Sequence, residues 1–296
     1  MVNIDKNHKA IITTPNDDWF GIDTISVTVF DPGNLTASTN SVFTVKEEKF
    51  YDKQLIEPIK NLLLIAYSDI VGLVKSPFDF KSHDILNITL LIGGTVLLTG
   101  VDHSIQTEIL KDRSLTKSGL LKFGEFYGSS RAYQISALSL GLYGLAANDD
   151  KALRIGIEVF ESCLIVENLI SVSKRVFGRM RPYAGQGPYK FDPLSFRSNS
   201  ENALPSGHAA LAFSLSSVIA AHTDDLFLKA LIFTPAVVTA FSRVYQNLHW
   251  ASDVFLGGMI GYLIGNYLVD KHNNNNSEKI QIGFDNQGRL GLFWKF

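Results

Sequence analysis

Lys174-Arg-Val-Phe-Gly-Arg-Met-Arg181-Pro182, Pro205-Ser206-Gly207-His208 and Ser242-Arg243-Val-Tyr-Gln-Asn-Leu-His249-Trp-Ala-Ser-Asp253 stand in that order between apolar segments of helical period. The run from Ala152 to Phe177 is apolar at helical spacing and carries Glu158, Glu161 and Glu167, so it reads as a helix. Lys174 and Arg181 are seven apart, which on a continued helix is two turns and one shared face. Pro182 disfavours helix at the residue before it and is expected to end the run. A second helix opens at Pro205-Ser206-Gly207-His208 and runs through Ala209 to Ala221. Thr223-Asp224-Asp225 turns the chain, and a third helix, Leu226 to Phe241, returns Ser242 and Arg243 to the end that holds Ser206 and His208. A fourth begins near His249 and reaches about Val269, with His249 and Asp253 at i, i+4. All three clusters then meet at one end of a helical bundle.

The residue types brought together suit an anion. Unpaired backbone N–H groups and the positive dipole end at Ser206-Gly207 favour phosphate, and Gly207 lets the backbone approach it closely. Lys174, Arg181 and Arg243 spread positive charge over the equatorial oxygens of a phosphoryl group in transfer. His249 is the candidate nucleophile. Asp253 is the candidate for fixing its tautomer, and His208 for protonating the leaving oxygen and then activating water. Three cations and a helix end leave no task that requires a metal. Taken singly, each cluster has a plainer reading: a helix end, a cap, a surface His–Asp pair. Their ordered coincidence is what carries the site.

The three clusters resemble the signature of the type 2 phosphatidic acid phosphatase superfamily, which also contains vanadium haloperoxidases and bacterial acid phosphatases. The pattern KxxxxxxRP, PSGH, SRxxxxxHxxxD is met at every defined position between Lys174 and Asp253. The resemblance extends over roughly Leu55 to Lys271, and Gly124-Glu125-Phe126-Tyr127-Gly128 is a weaker match. It implies a mainly α helical bundle and metal-free phosphomonoesterase chemistry through His249. It implies no cofactor, with vanadate as inhibitor or, in a haloperoxidase, as cofactor. A phosphate ester, with lipid phosphates among the candidates, is the implied substrate.

Net charge is −2, so no nucleic-acid footprint is present. Hydrophobic residues make up 46% and charged ones 19%, apolar for a soluble enzyme and polar for a mostly membrane-spanning one. The single cysteine, Cys163, lies in an apolar helical run, which excludes an intrachain disulfide and points to a buried position.

Three segments are expected: 1–48, 49–272 and 273–296. In the first, Thr24 to Phe30 alternates, Asp31-Pro-Gly-Asn34 turns, and Leu35 to Val45 returns. With Thr14 to Thr24 before it, this hairpin resembles the last part of a cadherin-like bacterial adhesion repeat, at most half of a sandwich. Lys46 to Lys53 is a charged linker. In the helical domain, Ile85 to Val101 is uncharged over 17 residues, short of the ~20 of a spanning helix. Ala132 to Asn148 is also uncharged, and Val254 to Val269 carries Gly257, Gly258, Gly261 and Gly265. Buried bundle helices are the favoured reading of these segments, membrane spans the close second. Tyr183 to Leu204 is a long loop whose Tyr183, Tyr189, Phe191, Phe196 and Arg197 either rim the site or lie on a solvated loop. His8, His83, His103, His222 and His272 match no motif. After a polar linker at His272 to Ser277, alternation at Ile280, Ile282 and Phe284, and again from Leu290 to Phe296, predicts a closing hairpin.

Met1 to Ala10 lacks the basic start and apolar core of a signal peptide. The adhesion-like and phosphatase-like resemblances nevertheless imply the bacterial cell envelope, periplasmic or membrane-associated, with the native N-terminus then lying further upstream. Two other functions fit the same residues: a vanadium haloperoxidase, and an envelope adhesion or scaffold protein whose phosphatase domain is vestigial.

Overall fold

The computed structural model describes residues 82–275 except 195–198, and strand backbone at 2–4, 10–12, 21–30, 36–45, 280–284 and 290–294. The chain divides into two compact units, Met1–Lys60 and Asn61–Phe296. In the first, β1 (Val2–Ile4) pairs with β2 (Ala10–Ile12), and β3 (Gly21–Phe30) with β4 (Thr36–Val45), both antiparallel. These are two separate two-stranded ladders, and the cadherin-like resemblance gains no support. Residues 13–20 and 31–35, on which part of it rested, lie outside the described residues.

The second unit is a helical bundle. Its helices are α1 (Ser82–Lys111), α2 (Gly119–Tyr127), α3 (Ser130–Ala147), α4 (Asp150–Phe177), α5 (Gly207–Ala221), α6 (Leu226–Tyr245) and α7 (Ala251–Asn275). A closing hairpin, β5 (Ile280–Phe284) with β6 (Leu290–Trp294), pairs Ile282 with Leu292. Helix α5 is the centre, packed against α4, α6 and α7. Its Leu211, Leu215 and Val218 meet Val159, Val166 and Leu268 in the core, and Cys163 is buried there too. Glycines set the α5–α7 spacing: a Cβ at Gly261 would stand 2.0 Å from the Ala210 carbonyl oxygen, and one at Gly257 2.3 Å from that of Ser206.

Two expectations about the helices change. Helix α4 stops at Phe177, with Gly178 left-handed at φ 58°. A side chain there would meet the Asp192 carbonyl at 1.8 Å, so glycine ends the helix four residues before Pro182. Lys174 is therefore helical and Arg181 extended; they do not share a helix face. Helix α6 in turn runs on to Tyr245, so Ser242 and Arg243 sit in its last turns.

The outer helices are not buried. The windows Ile88–Lys111 and Leu226–Tyr245 are 24 and 20 residues long with mean hydropathy 1.5, yet only 6% and 22% buried. Leu97 is 77% exposed and Leu226 81%. The buried reading of residues 85–101 is thereby corrected: among the described residues the main contacts of α1 are with α6 and α7, and its Leu90, Ile92, Val96, Leu97 and Val101 are exposed. For Val254 to Val269 the buried reading agrees with the packing, Val254, Ile264, Leu268 and Val269 all being inside.

The end of the bundle opposite the clusters carries charge inside. Glu158 is fully buried on α4 and accepts from Arg154 Nε at 2.8 Å. His222 Nε2 lies 2.5 Å and His272 Nδ1 3.2 Å from its two oxygens. Those two histidines, unassigned from sequence, tie the ends of α5 and α7 to α4.

Candidate active site

The site is built from four places. Lys174 comes from the last turn of α4 and Arg181 from the extended segment after Gly178. Ser206 is the N-cap of α5, with Gly207 and His208 in its first turn. Arg243 comes from the last turn of α6. His249 precedes α7, and Asp253 lies in that helix's first turn. Local hydrogen bonds hold these ends together. The Ser206 N–H donates to the Asp253 carbonyl at 2.9 Å, and the N–H groups of Leu248 and His249 donate to the Arg243 carbonyl at 3.1 and 3.3 Å.

The expected phosphate ligands converge. Lys174 Nζ lies beside Gly207, 3.6 Å from where a Cβ would stand. Ser206 Oγ and Arg181 Nε are buried with no hydrogen-bond partner. Buried donors of this kind are rarely left unpaired, and an anion bound between them would satisfy both. Arg243 donates to Gln246 Oε1 at 2.9 Å and lies 3.7 Å from Glu125 Oε2, which brings the Gly124 to Gly128 run to the rim of the site.

The electrostatics follow from burial among cations. Burial, then Arg181, lower the Lys174 pKa to about 8, against the pull of Asp253. His208 is lowered to about 3 by burial and by Arg243, His249, Lys174 and Arg181, so its ring is neutral among these groups. His249 is held well below the usual histidine range by burial first, then Lys174 and Arg181; a neutral imidazole is the nucleophilic form. Burial raises the Asp253 carboxyl to about 6, with Arg179 opposing.

The His249–Asp253 pair is looser than sequence suggests. His249 Nδ1 is 3.6 Å from Asp253 Oδ2 and makes no hydrogen bond, because 3.6 Å exceeds hydrogen-bond reach. Asp253 is instead held by others. Its Oδ1 accepts from Arg179 Nη1 at 2.6 Å, and its Oδ2 from the Trp250 N–H at 2.8 Å. Nδ1 is the ring nitrogen on the Asp253 side, with Nε2 on the other. Sequence reasoning missed Arg179, Asp102 and Ser252. The only available signal was a second buried-type cation two residues before Arg181.

Residues 156–277 match the PAP2 superfamily. Lys174 through Asp253 fall inside that span. Over 205 residues the chain is 28% identical to the undecaprenyl-diphosphatase of Sulfolobus acidocaldarius, covering 67% of this chain and 94% of that protein. It is 35% identical over 83 residues to the lipid A 1-phosphatase of Porphyromonas gingivalis, covering 27% of this chain but 18% of that one. Among solved structures it resembles the transmembrane PAP2 type phosphatidylglycerolphosphate phosphatase from Bacillus subtilis, with 20% identity, a TM-score of 0.43, and 62% and 94% of the two chains covered. Both relatives are named for phosphatase or diphosphatase activity.

Proposed function

We propose that this PAP2 domain hydrolyses lipid phosphates at a membrane of the cell envelope through a phosphohistidine on His249. The observation that carries this is the pair of orphaned buried donors, Ser206 Oγ and Arg181 Nε, in a cationic cup before a neutral imidazole. The apolar outer faces of α1 and α6 suit a lipid surround, and the named activities of the relatives agree with a lipid substrate.

The phosphoryl group sits against Lys174, Arg181, Arg243, Ser206 and the backbone at Gly207. His249 Nε2 forms a bond to phosphorus as the bond to the leaving oxygen breaks, and that oxygen takes a proton from His208. Water then attacks phosphorus, His208 takes its proton, the P–N bond breaks, and phosphate is released. His208 can act as the acid only with substrate present. The dianion offsets the surrounding cations and raises the imidazole from about 3. No step draws on a metal, and vanadate is expected to inhibit as a mimic of the trigonal-bipyramidal phosphoryl group.

The test is trapping. Quenching enzyme and a radiolabelled phosphate ester in alkaline detergent should yield a base-stable, acid-labile phosphoprotein, lost in His249→Ala. Label retained in that variant, or full turnover by it, overturns the assignment.

A further inference from the structure

Arg179 is 1% exposed, among the largest fully buried side chains of the described residues, and stands at an undefined position of the first cluster. Its guanidinium is a junction. Nη1 donates to Asp253 Oδ1 and to Ser252 Oγ, both at 2.6 Å, and Nη2 donates to Asp102 Oδ2 at 2.8 Å. Nε donates to the Pro188 carbonyl at 2.9 Å. The guanidinium carbon lies 5.6 Å from the centre of the Phe191 ring and 5.7 Å from that of Trp250, within cation–π range. Asp102, from the middle of α1, is itself 1% exposed. It accepts from the Ser252 N–H at 3.0 Å and from Ser252 Oγ at 2.5 Å.

We infer that Arg179 and Asp102 are positioning residues for His249, acting through Asp253. This rests on His249 being the nucleophile. The geometry gives the reason. Asp253 makes no hydrogen bond to the ring it is meant to orient, and the contact is 3.6 Å. Its place is set from behind, by a fork that binds one carboxylate on α7 and another on α1. A planar guanidinium can hold both at once, which an ammonium cannot. Asp102 offsets the charge of Arg179, so the cation that steadies Asp253 does not draw off all its field. The pair also draws α1, which lies outside the matched residues 156–277, into the active site.

An alternative is that the junction is only a buried ion pair holding α1 to α7. A stabilising role alone would lower thermal stability and leave the kinetic pH profile in place. The groups facing Asp253 are Arg179, Asp102 and Ser252 behind it, Lys174 and Arg181 across the cup, and His249 and the Trp250 N–H beside it.

The experiment uses the full chain in detergent with a soluble aryl phosphate. It follows kcat, KM and the acid limb of kcat/KM in Arg179→Gln, Arg179→Lys and Asp102→Asn, with His249→Ala as reference. Arg179→Gln should lower kcat about 100-fold, the scale of a 1 Å misplacement. KM should change less than about threefold, because Asp253 does not touch substrate. Its acid limb should rise by about 1 to 3 units with the cation gone. Arg179→Lys should restore the limb and not kcat, since charge returns without the fork. Asp102→Asn should lower kcat and move the limb the other way. If these variants fold and keep wild-type kcat and limb while His249→Ala is dead, the positioning role is refuted and the nucleophile stands. If His249→Ala is active, the nucleophile assignment itself falls. Should the Arg179 variants fail to fold, Asp102→Asn decides: an unmoved limb with wild-type kcat refutes the role.

Discussion

Adding one methyl group at residue 257 should disable the site without touching any reacting residue. In Gly257→Ala the new Cβ would lie 2.3 Å from the Ser206 carbonyl oxygen and 3.1 Å from the Ser206 nitrogen, where ordinary contact begins at 3.4 Å. Both neighbours are backbone, so no side chain can swing aside. The Ser206 turn and α7 must part by about 1 Å, which at a phosphate site is worth about 100-fold in kcat. The same overpacking should lower stability by about 1 to 3 kcal/mol. Gly141→Ala on α3 is the control: nothing lies within 4 Å of its Cβ, and glycine to alanine inside a helix gains about 0.5 to 1 kcal/mol. Turnover of a soluble phosphate ester and thermal unfolding in detergent read both effects. Gly257→Ala within about threefold of wild-type kcat would mean that α5 and α7 do not set the Ser206 geometry, and the reasoning would fail.

Other outcomes follow from the same structure. Activity requires ionised Asp253 and protonated Lys174. The profile of kcat/KM, which reports the free enzyme, should therefore rise with pH through about 6 and fall through about 8; a flat profile from 5 to 9 contradicts those assignments. His208→Ala should lose about 100-fold or more on alkyl phosphates and far less on aryl phosphates or diphosphates, whose leaving groups need no proton; equal losses on both would remove it as the acid. Glu158→Gln removes a fully buried carboxylate from its ion pairs and should cost about 3 kcal/mol of stability with kcat/KM unchanged, measured by denaturation and steady-state kinetics. After carbonate washing, the protein should stay with membranes and leave only with detergent, as exposed apolar α1 and α6 require; release by carbonate would refute that they span.

Much of this protein was legible in its sequence because the decisive signals are local. Apolar periodicity located α4 to α7, alternation located the strands of the closing hairpin, and the spacing of turns placed Ser206, Arg243 and His249 at one end. These features depend on hydrogen bonds and side-chain neighbours a few residues apart, which a linear pattern records. The end of α4 was not legible: sequence reading places it at Pro182, and the contact with Asp192 that demands glycine at 178 is fourteen residues away.

Tertiary structure alone decided the rest. That α1 shows its apolar surface outward depends on how few neighbours the bundle offers it, and composition is the same for a buried helix and a lipid-facing one. That Arg179 joins Asp102 to Asp253, across separations of 77 and 74 residues, has no periodic trace. A buried charge must find a partner, but sequence states only the need, and packing chooses which carboxylate meets it. The same holds for Glu158, read from its spacing as one polar residue on a helix and found inside, between two histidines. Chain chemistry dictated what could bind an anion, while the fit of one helix against another dictated what holds Asp253 behind His249.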